Sequence, residues 1–288
     1  MMAMALTPQR LRAGLDRALF IHIPLGFALL FLIGPFYWMA VTALKPDSEL
    51  YDGARSPLYV ASPTLEHFRY LFEHTDFVAW TGNTLLVATL STAIALLMGV
   101  PAGYALARLR FPGAEFVGTL IFVTYLVPTS LLFIPMSGVM SQLHLDDTIW
   151  SLVVVYPTFL VPFVTWLMAS YFRTIPAELE DCGRIDGLTR LGAMLRIAIP
   201  LARPGILSAG IFAFTISWNE FIYALTLVTS SSERTLPVGV LVQLSRADVY
   251  FWGPLMAGAL LGSVPIALIY SLFVDQYTSG LTAGAVKG

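Results

Sequence analysis

Charged residues are scarce in this chain. They make up 12% of its 288 residues, whereas 57% of the residues are hydrophobic. A soluble domain carries about a quarter charged residues, so the deficit predicts that most of the surface meets hydrocarbon. The formal net charge of −2 argues against a nucleic-acid partner.

Residues that commonly carry out chemistry are also scarce. The chain has one cysteine, Cys182, so an internal disulfide is excluded, and its four histidines are scattered. We therefore predict no bound metal. The sequence contains no phosphate-binding loop and no hydrolase motif, so we expect no catalytic residue and no bound cofactor. Any energy for work on a substrate must come from another protein.

The N-terminal region has the charge pattern of a secretory signal but not its length. Arg10, Arg12 and Arg17 precede a run, Ala18–Leu44, of 27 residues without Asp, Glu, Lys or Arg. The apolar part of a signal peptide has about 7–15 residues. We therefore interpret the run as a retained membrane helix.

Six segments are apolar enough to cross a membrane as helices, which takes about 20 residues each. They are Ala18–Leu44, Asn83–Ala107, Phe116–Met140, Thr148–Phe172, Pro204–Thr229 and Val249–Val274. We predict an all-α membrane protein with six transmembrane helices. Its parts are an N-terminal segment at 1–17, the first helix at 18–44, an outer loop at 45–82, a five-helix core at 83–276 and a tail at 277–288.

Lys and Arg residues predict the orientation, because cytoplasmic loops carry an excess of them. With the N terminus inside, eleven fall on the cytoplasmic side and five outside. The eleven are Arg10, Arg12, Arg17, Arg108, Arg110, Arg173, Arg184, Arg190, Arg196, Arg203 and Lys287, and the five are Lys45, Arg55, Arg69, Arg234 and Arg246. Both termini and the segment 173–203 are therefore predicted to be cytoplasmic.

Prolines recur within the predicted helices, among them Pro101, Pro128 and Pro162. Helix breakers at membrane depth are tolerated where neighbouring helices or a water-lined cavity satisfy the freed carbonyl groups. The pattern is consistent with a bundle that encloses a path. Ordinary kinks that serve packing are the alternative for most of these prolines.

The segment 173–203 is too charged to lie in lipid, and its pattern predicts two helices. Pro176 suits a first turn, and acidic residues follow it near the positive end of the helix dipole. Asp186 and Gly187 indicate a stop, since glycine adopts the left-handed conformation at little cost. A second helix is predicted from about Leu188 to Ile199. Its apolar stripe comprises Leu188, Leu191, Leu195 and Ala198. A solvated connector without a partner is the alternative.

This segment resembles the signature cytoplasmic loop of permease subunits of bacterial ABC importers. The matching positions are Asp181-Cys182-Gly183, Asp186-Gly187-Leu188, Met194 and Pro200. The Asp-Gly pair and the proline match the family pattern, whereas Asp replaces Glu, Cys-Gly replaces Ala-Ala, Leu replaces Ala and Met replaces Phe. Four further segments resemble the carbohydrate branch, which is similar to the smaller membrane subunit of the maltose importer: Asn83–Leu85, Tyr104–Gly113, Ser217–Phe221 and Gly280–Gly288.

The resemblance implies a type I ABC importer permease in the bacterial plasma (inner) membrane that translocates a sugar. It implies a coupling helix from Asp181 to Gly187 that docks into a cytoplasmic ATPase subunit. The implied coupling residues are Glu178, Asp181, Cys182, Gly183, Asp186 and Gly187, and the implied ATPase-contacting tail residues are Thr282, Gly284 and Lys287.

The implied partners are two copies of the ATPase subunit, a second and different permease chain, and an external substrate-binding protein, with membrane lipid around the helices. The ATPase copies would bind ATP and Mg. The implied activity is therefore transport, not catalysis by this chain.

Glu220 is the one formally charged residue within a predicted transmembrane helix, and acids within the membrane are functional candidates. It is a candidate for an outer gate, for a hydrogen bond to a sugar, or for pairing at the interface. The other path candidates are Tyr156, Thr215, Trp218 and Asn219. Hydrogen bonding between helices is the alternative for hydroxyl groups, and membrane anchoring is the alternative for the aromatic side chain.

Other functions are compatible with parts of this pattern. The loop is shared across ABC importers, so a permease for glycerol phosphate, polyamine or another small solute is one alternative. An ion-driven secondary carrier is another, although Glu220 would be its only charged coupling group within a transmembrane helix. An intramembrane enzyme would need a catalytic dyad that the sequence does not offer.

Overall fold

The structure is a computed structural model that describes residues 18–109, 111–246 and 249–274. The chain is mostly helical over these residues. The predicted tail residues Thr282, Gly284 and Lys287 lie outside the described residues, as do the arginines that precede the first helix.

The helices follow one another in a fixed order. A π-helical turn, Ala18–His22, leads into α1 (Ile23–Leu44), and the outer loop holds α2 (Asp47–Leu50) and α3 (Glu66–His74). The next elements are α4 (Phe77–Arg108), α5 (Ala114–Leu126), a 3-10 turn (Thr129–Leu131), α6 (Phe133–Gln142), α7 (Ile149–Val155) and α8 (Pro157–Phe172).

The second half begins with the charged segment and ends with a long apolar helix. Its elements are α9 (Glu178–Ile185), α10 (Arg190–Ala193), a π-helical turn (Met194–Ala198), α11 (Ile199–Leu201), α12 (Arg203–Trp218), α13 (Ile222–Leu227), a 3-10 turn (Ser231–Glu233), α14 (Leu236–Leu244) and α15 (Trp252–Leu272). Two short strands, β1 (Ser245–Arg246) and β2 (Val249–Tyr250), form an antiparallel hairpin before α15, with Ser245 opposite Tyr250.

Within the described residues, four helices are long and apolar enough to cross a membrane: Leu19–Leu44, Phe77–Arg108, Ile149–Phe172 and Trp252–Leu272. A fifth candidate joins Arg190–Leu201 to Arg203–Trp218 across a bend of 73°. The sequence predicted six continuous spans, and the third and fifth of these are interrupted in the structure.

The third predicted span, Phe116–Met140, is interrupted because of Pro128. The residue before a proline is driven away from the helical conformation, and Val127 is extended with ψ of 124°. The fifth predicted span, Pro204–Thr229, is interrupted between Trp218 and Ile222.

Two other boundaries differ from the prediction. The second span begins at Phe77 rather than Asn83, and the last helix begins at Trp252 because the preceding residues pair as strands.

The centre of the bundle is the contact between α4 and α8. Gly99 and Gly103 lie one helical turn apart on α4 and face α8. A Cβ atom on Gly103 would lie 2.7 Å from the Cβ of Met168 and 2.8 Å from the backbone nitrogen of Ala169. Only glycine therefore allows the two backbones to approach this closely, and α12 packs against both helices.

The outer loop folds back on itself next to the end of α1. The ammonium group of Lys45, which is 3% exposed, donates to the carbonyl oxygen of Ser56 at 2.6 Å. The carboxylate of Glu49 accepts from the backbone N–H groups of Ala61 and Ser62. These backbone hydrogen bonds lower the pKa of Glu49. These bonds order the loop beside the end of α1.

Candidate functional site

The first helix of the charged segment begins and ends earlier in the chain than the resemblance implied. It begins at Glu178 and ends at Ile185, so Asp186 and Gly187 follow the helix instead of belonging to it. Gly187 has φ of +95°, its N–H bonds to the carbonyl of Arg184, and the N–H of Leu188 bonds to the carbonyl of Gly183. This is a Schellman motif, in which glycine adopts the left-handed conformation without a Cβ penalty.

Gly183 has a packing reason for lacking a side chain. It is buried, and a Cβ atom there would lie 2.3 Å from Cδ1 of Ile197. The family pattern has alanine at this position, so the departure accompanies a close approach between α9 and the π-helical turn. Glycine costs a helix up to about 1 kcal/mol relative to alanine, and this contact offsets part of that cost.

The second helical stretch shows a different apolar face from the predicted one. Ala198 of the predicted stripe is buried, but Leu191 is 61% exposed and Leu195 is 52% exposed, and Ala193, which lies outside that stripe, is buried. The prediction assumed an α-helical period over the whole stretch. The π-helical turn at Met194–Ala198 adds a residue to the repeat and rotates the side chains from Met194 onward. Leu191 precedes this turn, so the turn does not explain its exposure.

The charged segment is held to the bundle by a contact that the sequence did not reveal. Glu180 is buried, and its carboxylate accepts from the hydroxyl of Tyr104 at 2.6 Å and from Nε of Arg108 at 2.8 Å. A second nitrogen of Arg108 donates to the carbonyl oxygen of Ile175 at 2.5 Å. Tyr104 and Arg108 lie one turn apart on α4. We call Tyr104, Arg108 and Glu180 the inner latch.

The other predicted coupling residues lie on the solvent side of α9. Glu178, Asp181, Cys182 and Asp186 are all exposed. Asp181 pairs with Arg184 at 3.3 Å, and the two side chains are 66% and 45% exposed, respectively. Such a surface pair contributes less than about 1 kcal/mol. The exposed face is therefore free of strong internal bonds, whereas Glu180 fixes the opposite face.

A second group of polar residues gathers where the fifth predicted span is interrupted. The carboxylate of Glu220 accepts from the hydroxyl of Tyr156 at 2.8 Å and from the backbone N–H groups of Tyr223 at 2.9 Å and Ala224 at 3.0 Å. It thereby satisfies the first N–H groups of α13, which a helix leaves without internal partners. The interruption at residues 219–221 is thus stabilised by Glu220.

The interruption in the third predicted span meets the same group. The hydroxyl of Tyr223 donates to the carbonyl oxygen of Thr129 at 2.9 Å. Glu220 and Tyr223 border a cavity of about 410 Å³. Its other lining residues are Thr124, Tyr125, Val127, Thr129, Leu132, Met136, Thr158, Phe159, Phe163 and Ile216. Aromatic rings with a few hydroxyl groups and one carboxylate suit a hydroxylated solute.

The predicted path residues are divided between two places. Tyr156 joins Glu220, but Trp218 is buried and its Nε1 donates to the carbonyl oxygen of Gly262 at 3.2 Å. Asn219 donates to the carbonyl oxygen of Thr215 at 2.9 Å. Trp218 and Asn219 border a different, mostly apolar cavity of about 640 Å³ beside α14 and α15.

Asp147 fixes the chain after α13. Its carboxylate accepts from the backbone N–H groups of Thr229 and Ser230, each at 2.7 Å, and from the hydroxyl of Ser230. The bonds to Ser230 and Thr229 lower the pKa of Asp147 to about 2. Sequence reasoning gave Asp147 no role, because its partners lie more than 80 residues away.

Three side chains of the outer loop lie near one another, although no metal site was predicted. Single ligand atoms of Asp47, Glu66 and His67 fall within 4.8 Å of each other. Nε2 of His67 is 2.7 Å from the carbonyl oxygen of Lys45, which occupies that nitrogen. The cluster therefore offers a metal ion only the two exposed carboxylates.

Comparison with known proteins gives the family. Residues 99–282 match the family described as binding-protein-dependent transport system inner membrane component. The sulfoquinovosyl glycerol transport system permease protein SmoH of Agrobacterium fabrum is 36% identical over 257 residues, or 88% of each chain. The trehalose transport system permease protein SugB of Mycobacterium tuberculosis is 32% identical over 265 residues, or 91% of this chain and 94% of that one.

The fold also has a solved counterpart. A chain from the crystal structure of a bacterial ABC transporter involved in the import of the acidic polysaccharide alginate superposes with a TM-score of 0.76. The sequences are 20% identical, and the match covers 96% of this chain and 99% of that chain. The family match and the apolar helices make this a multi-pass protein of the bacterial inner membrane and not an enzyme. The chain belongs to the family of binding-protein-dependent transport system inner membrane components, the permease subunits of ABC importers.

Proposed function

We propose that this chain is a permease subunit of an ATP-driven importer for a sugar or a sugar derivative. Two relatives of this length carry the names of transport systems for trehalose and for sulfoquinovosyl glycerol. The cavity beside Glu220 supports the same class of substrate, because its lining within the described residues has hydroxyl groups and aromatic rings and no lysine or arginine.

The single observation that carries the coupling role is the inner latch. The exposed face of α9, with Glu178, Asp181 and Cys182, is the surface that we assign to the ATPase subunit. Glu180 on the opposite face joins this helix to α4 through a buried ion pair of 2.8 Å. A displacement of α9 by the ATPase therefore reaches the membrane helices directly.

The proposed mechanism follows from this connection, which joins the ATPase-facing surface of α9 to α4. Two ATPase copies bind ATP and Mg and close on each other, and α9 moves with them. The latch moves α4 and the helices packed on it, so the bundle changes between inward-open and outward-open states. The ATPases shift this equilibrium only because they bind the two states with different affinities.

We place six membrane crossings in the bundle, two of them interrupted, with both termini in the cytoplasm. The domain boundaries are those of the sequence analysis, except that the five-helix core begins at Phe77, and 173–203 is the coupling segment. Thr282, Gly284 and Lys287 of the tail are assigned to ATPase contact by the family resemblance. A second, different permease chain and an external binding protein that delivers the sugar complete the assembly.

Copurification tests this function first. The chain, purified from its native membrane in mild detergent, should bring with it an ATPase, a second permease and, after addition of sugar, a binding protein. In reconstituted vesicles the sugar-loaded binding protein should stimulate ATP hydrolysis and sugar uptake. Accumulation of a solute by this chain alone, without an ATPase, would contradict the proposal.

Two variants test the coupling assignment within this assembly. Gly187→Pro removes the left-handed turn after α9, and it should abolish uptake while the protein stays in the membrane. Gly53→Pro changes an exposed glycine of the outer loop, where an added Cβ atom would have no neighbouring atom within 4 Å, and it should keep most of the uptake. Normal sugar-stimulated ATPase activity in the Gly187 variant would remove α9 from the coupling role.

A further inference from the structure

Lys45, which follows the last residue of α1, has a buried ammonium group with too few hydrogen-bond partners. The residue is 3% exposed, and its ammonium donates to the carbonyl oxygen of Ser56. An ammonium group has three N–H donors. Within the described part of the chain Ser56 is its one hydrogen-bond acceptor, so two donors are left over. A buried charge is normally paired and fully hydrogen-bonded, and Lys45 therefore needs a further acceptor.

The neighbouring carboxylates are engaged elsewhere. The oxygens of Glu49 accept from the backbone N–H groups of Ala61 and Ser62. Asp52 pairs with Arg55 at 3.6 Å, and these two side chains are 44% and 55% exposed. Over the described ranges neither carboxylate forms an ion pair with Lys45. The missing acceptor therefore comes from outside these side chains.

All four charged side chains line one cavity. Its volume is about 340 Å³, which is within the range of about 300–1,000 Å³ that is typical of small-molecule sites. Lys45 and Arg55 bring two positive charges, and Glu49 and Asp52 bring two negative charges. Because these charges balance, the cavity suits a ligand that has an anionic group and a cationic group and is neutral as a whole.

The position of the cavity indicates where such a ligand comes from. The membrane helix Leu19–Leu44 has 26 residues, which span about 39 Å at about 1.5 Å per residue and exceed the hydrocarbon core of about 30 Å. Lys45 therefore lies at headgroup depth. Trp38, which lines the cavity, is 47% exposed, and tryptophan is enriched at the membrane–water interface. Phospholipid headgroups are thus the polar molecules next to the cavity.

We propose that this cavity binds the headgroup of a zwitterionic phospholipid, phosphatidylethanolamine. The phosphate oxygens accept from Lys45 and from Arg55, and the ammonium group of the lipid donates to Asp52. We call the site the headgroup cavity, and its defining residues are Trp38, Thr42, Lys45, Glu49, Asp52 and Arg55. The inference does not depend on which solute is transported.

Native mass spectrometry tests the site. The protein, purified with its natural partner subunits, is placed in nanodiscs that contain equal amounts of phosphatidylethanolamine and phosphatidylglycerol and is then released from them. The wild type should retain phosphatidylethanolamine, and Lys45→Met should retain about tenfold less, because it removes a charge-assisted hydrogen bond. Arg69→Gln is the matched control, since Arg69 lies in the same loop and is 76% exposed, and it should retain as much as the wild type.

A second variant keeps the test valid if Lys45→Met disturbs the loop. Arg55→Gln leaves the bond from Lys45 to Ser56 in place, and it should also lower the retention of phosphatidylethanolamine by about threefold. Equal retention in the wild type and in both variants would overturn the proposal. Retention of phosphatidylglycerol as strong as that of phosphatidylethanolamine would overturn the zwitterionic assignment.

Two further measurements establish the source of the ligand and its place. Glycerophosphoethanolamine has the same headgroup without acyl chains, and it should not displace the lipid; displacement at an equal concentration would make the ligand a soluble phosphate ester instead. Phosphatidylethanolamine with a photoreactive diazirine on its headgroup should label the peptide that covers residues 38–57. Labelling confined to other peptides would overturn the site.

Discussion

Replacement of Glu180 by glutamine should detach the coupling segment from the bundle. The substitution keeps the size and one oxygen acceptor for the hydroxyl of Tyr104, but it removes the negative charge that faces Arg108. The two charged side chains are 8% and 13% exposed, so water cannot take over the lost interaction. The neutral amide therefore leaves a buried guanidinium group without its counter-ion.

The burial of this ion pair determines how much free energy the substitution costs. Removal of one partner from a buried ion pair costs about 3–5 kcal/mol. The lower end, about 3 kcal/mol, applies here because Arg108 keeps its bond to the carbonyl of Ile175 and Tyr104 keeps an acceptor. Since about 1.4 kcal/mol is a factor of ten, the detached state should become about 100-fold more populated.

Hydrogen exchange measures that population. Backbone amides in a peptide covering Glu178–Leu188 should exchange about 100-fold faster in Glu180→Gln than in the wild type, while amides of α8 stay unchanged. Asp181→Asn is the matched control, because this neighbouring carboxylate is 66% exposed and its pair with Arg184 is a surface pair. It should change the exchange less than fivefold.

A double variant completes the test. Arg108→Gln together with Glu180→Gln removes both charges and should exchange more slowly than the two single effects combined would give. The reasoning on the latch is refuted if Glu180→Gln accelerates exchange by less than about threefold, or no more than Asp181→Asn does.

Three further outcomes are expected. Gly103→Ala should lower the stability by about 1–3 kcal/mol, because the added Cβ would lie 2.7 Å from the Cβ of Met168. Gly82→Ala on the same helix should not, because no atom lies within 4 Å of the added Cβ. Equal melting temperatures for the two variants would contradict the packing argument. Tyr223→Phe should cost about 1 kcal/mol of stability and should slow sugar uptake, because the carbonyl oxygen of Thr129 loses the hydroxyl group that donates to it. Unchanged uptake kinetics would show that the contact between the two interruptions plays no part in transport. The pKa of Asp147 is lowered from 3.8 to about 2, so its stabilising effect is complete above about pH 4 and is lost as the pH falls through about 2. The difference in melting temperature between wild type and Asp147→Asn should therefore be constant from pH 5 to pH 8. A difference that disappears near pH 6 would rule this out.

Much of the helical bundle could be predicted from composition alone. Long runs without charge predicted the helices at 18–44 and 148–172, because only a helix satisfies its backbone groups in hydrocarbon. The turn at Gly187 could also be predicted, since an Asp-Gly pair after a charged helical stretch is a local signal. The charged segment itself stood out because its neighbours are apolar.

The interruptions of the third and fifth spans could not be predicted in the same way. Residues 127–132 contain Thr129 and Ser130, but the continuous helix α4 also contains hydroxyl residues, such as Ser91 and Thr92. Prolines elsewhere, such as Pro101 and Pro162, lie inside continuous helices. What distinguishes the interrupted sites is distant partners. Tyr223 reaches Thr129 across 94 positions of the chain, and no local pattern records that pairing.

The candidate site could also be predicted only in part. The exposed residues of α9 were identified by their motif, and Glu220 was identified by its charge. Glu180 was counted as one of several acids near a helix start, and only the fold shows that it faces Tyr104 and Arg108, which are 76 and 72 positions away. Conversely, Trp218 and Asn219 adjoin Glu220 in sequence and border a different cavity.

The length of α4 sets how far a movement at its inner end is carried. Near its outer end, Trp80 and Asn83 donate to the carbonyl groups of Ser231, Ser232 and Arg234. From the close contact around Pro101, Arg108 is about 10 Å away along the helix axis and Trp80 is about 32 Å away, at about 1.5 Å per residue. If the helix turns as a stiff lever about that contact, a shift of about 1 Å at Arg108 becomes about 3 Å at Trp80.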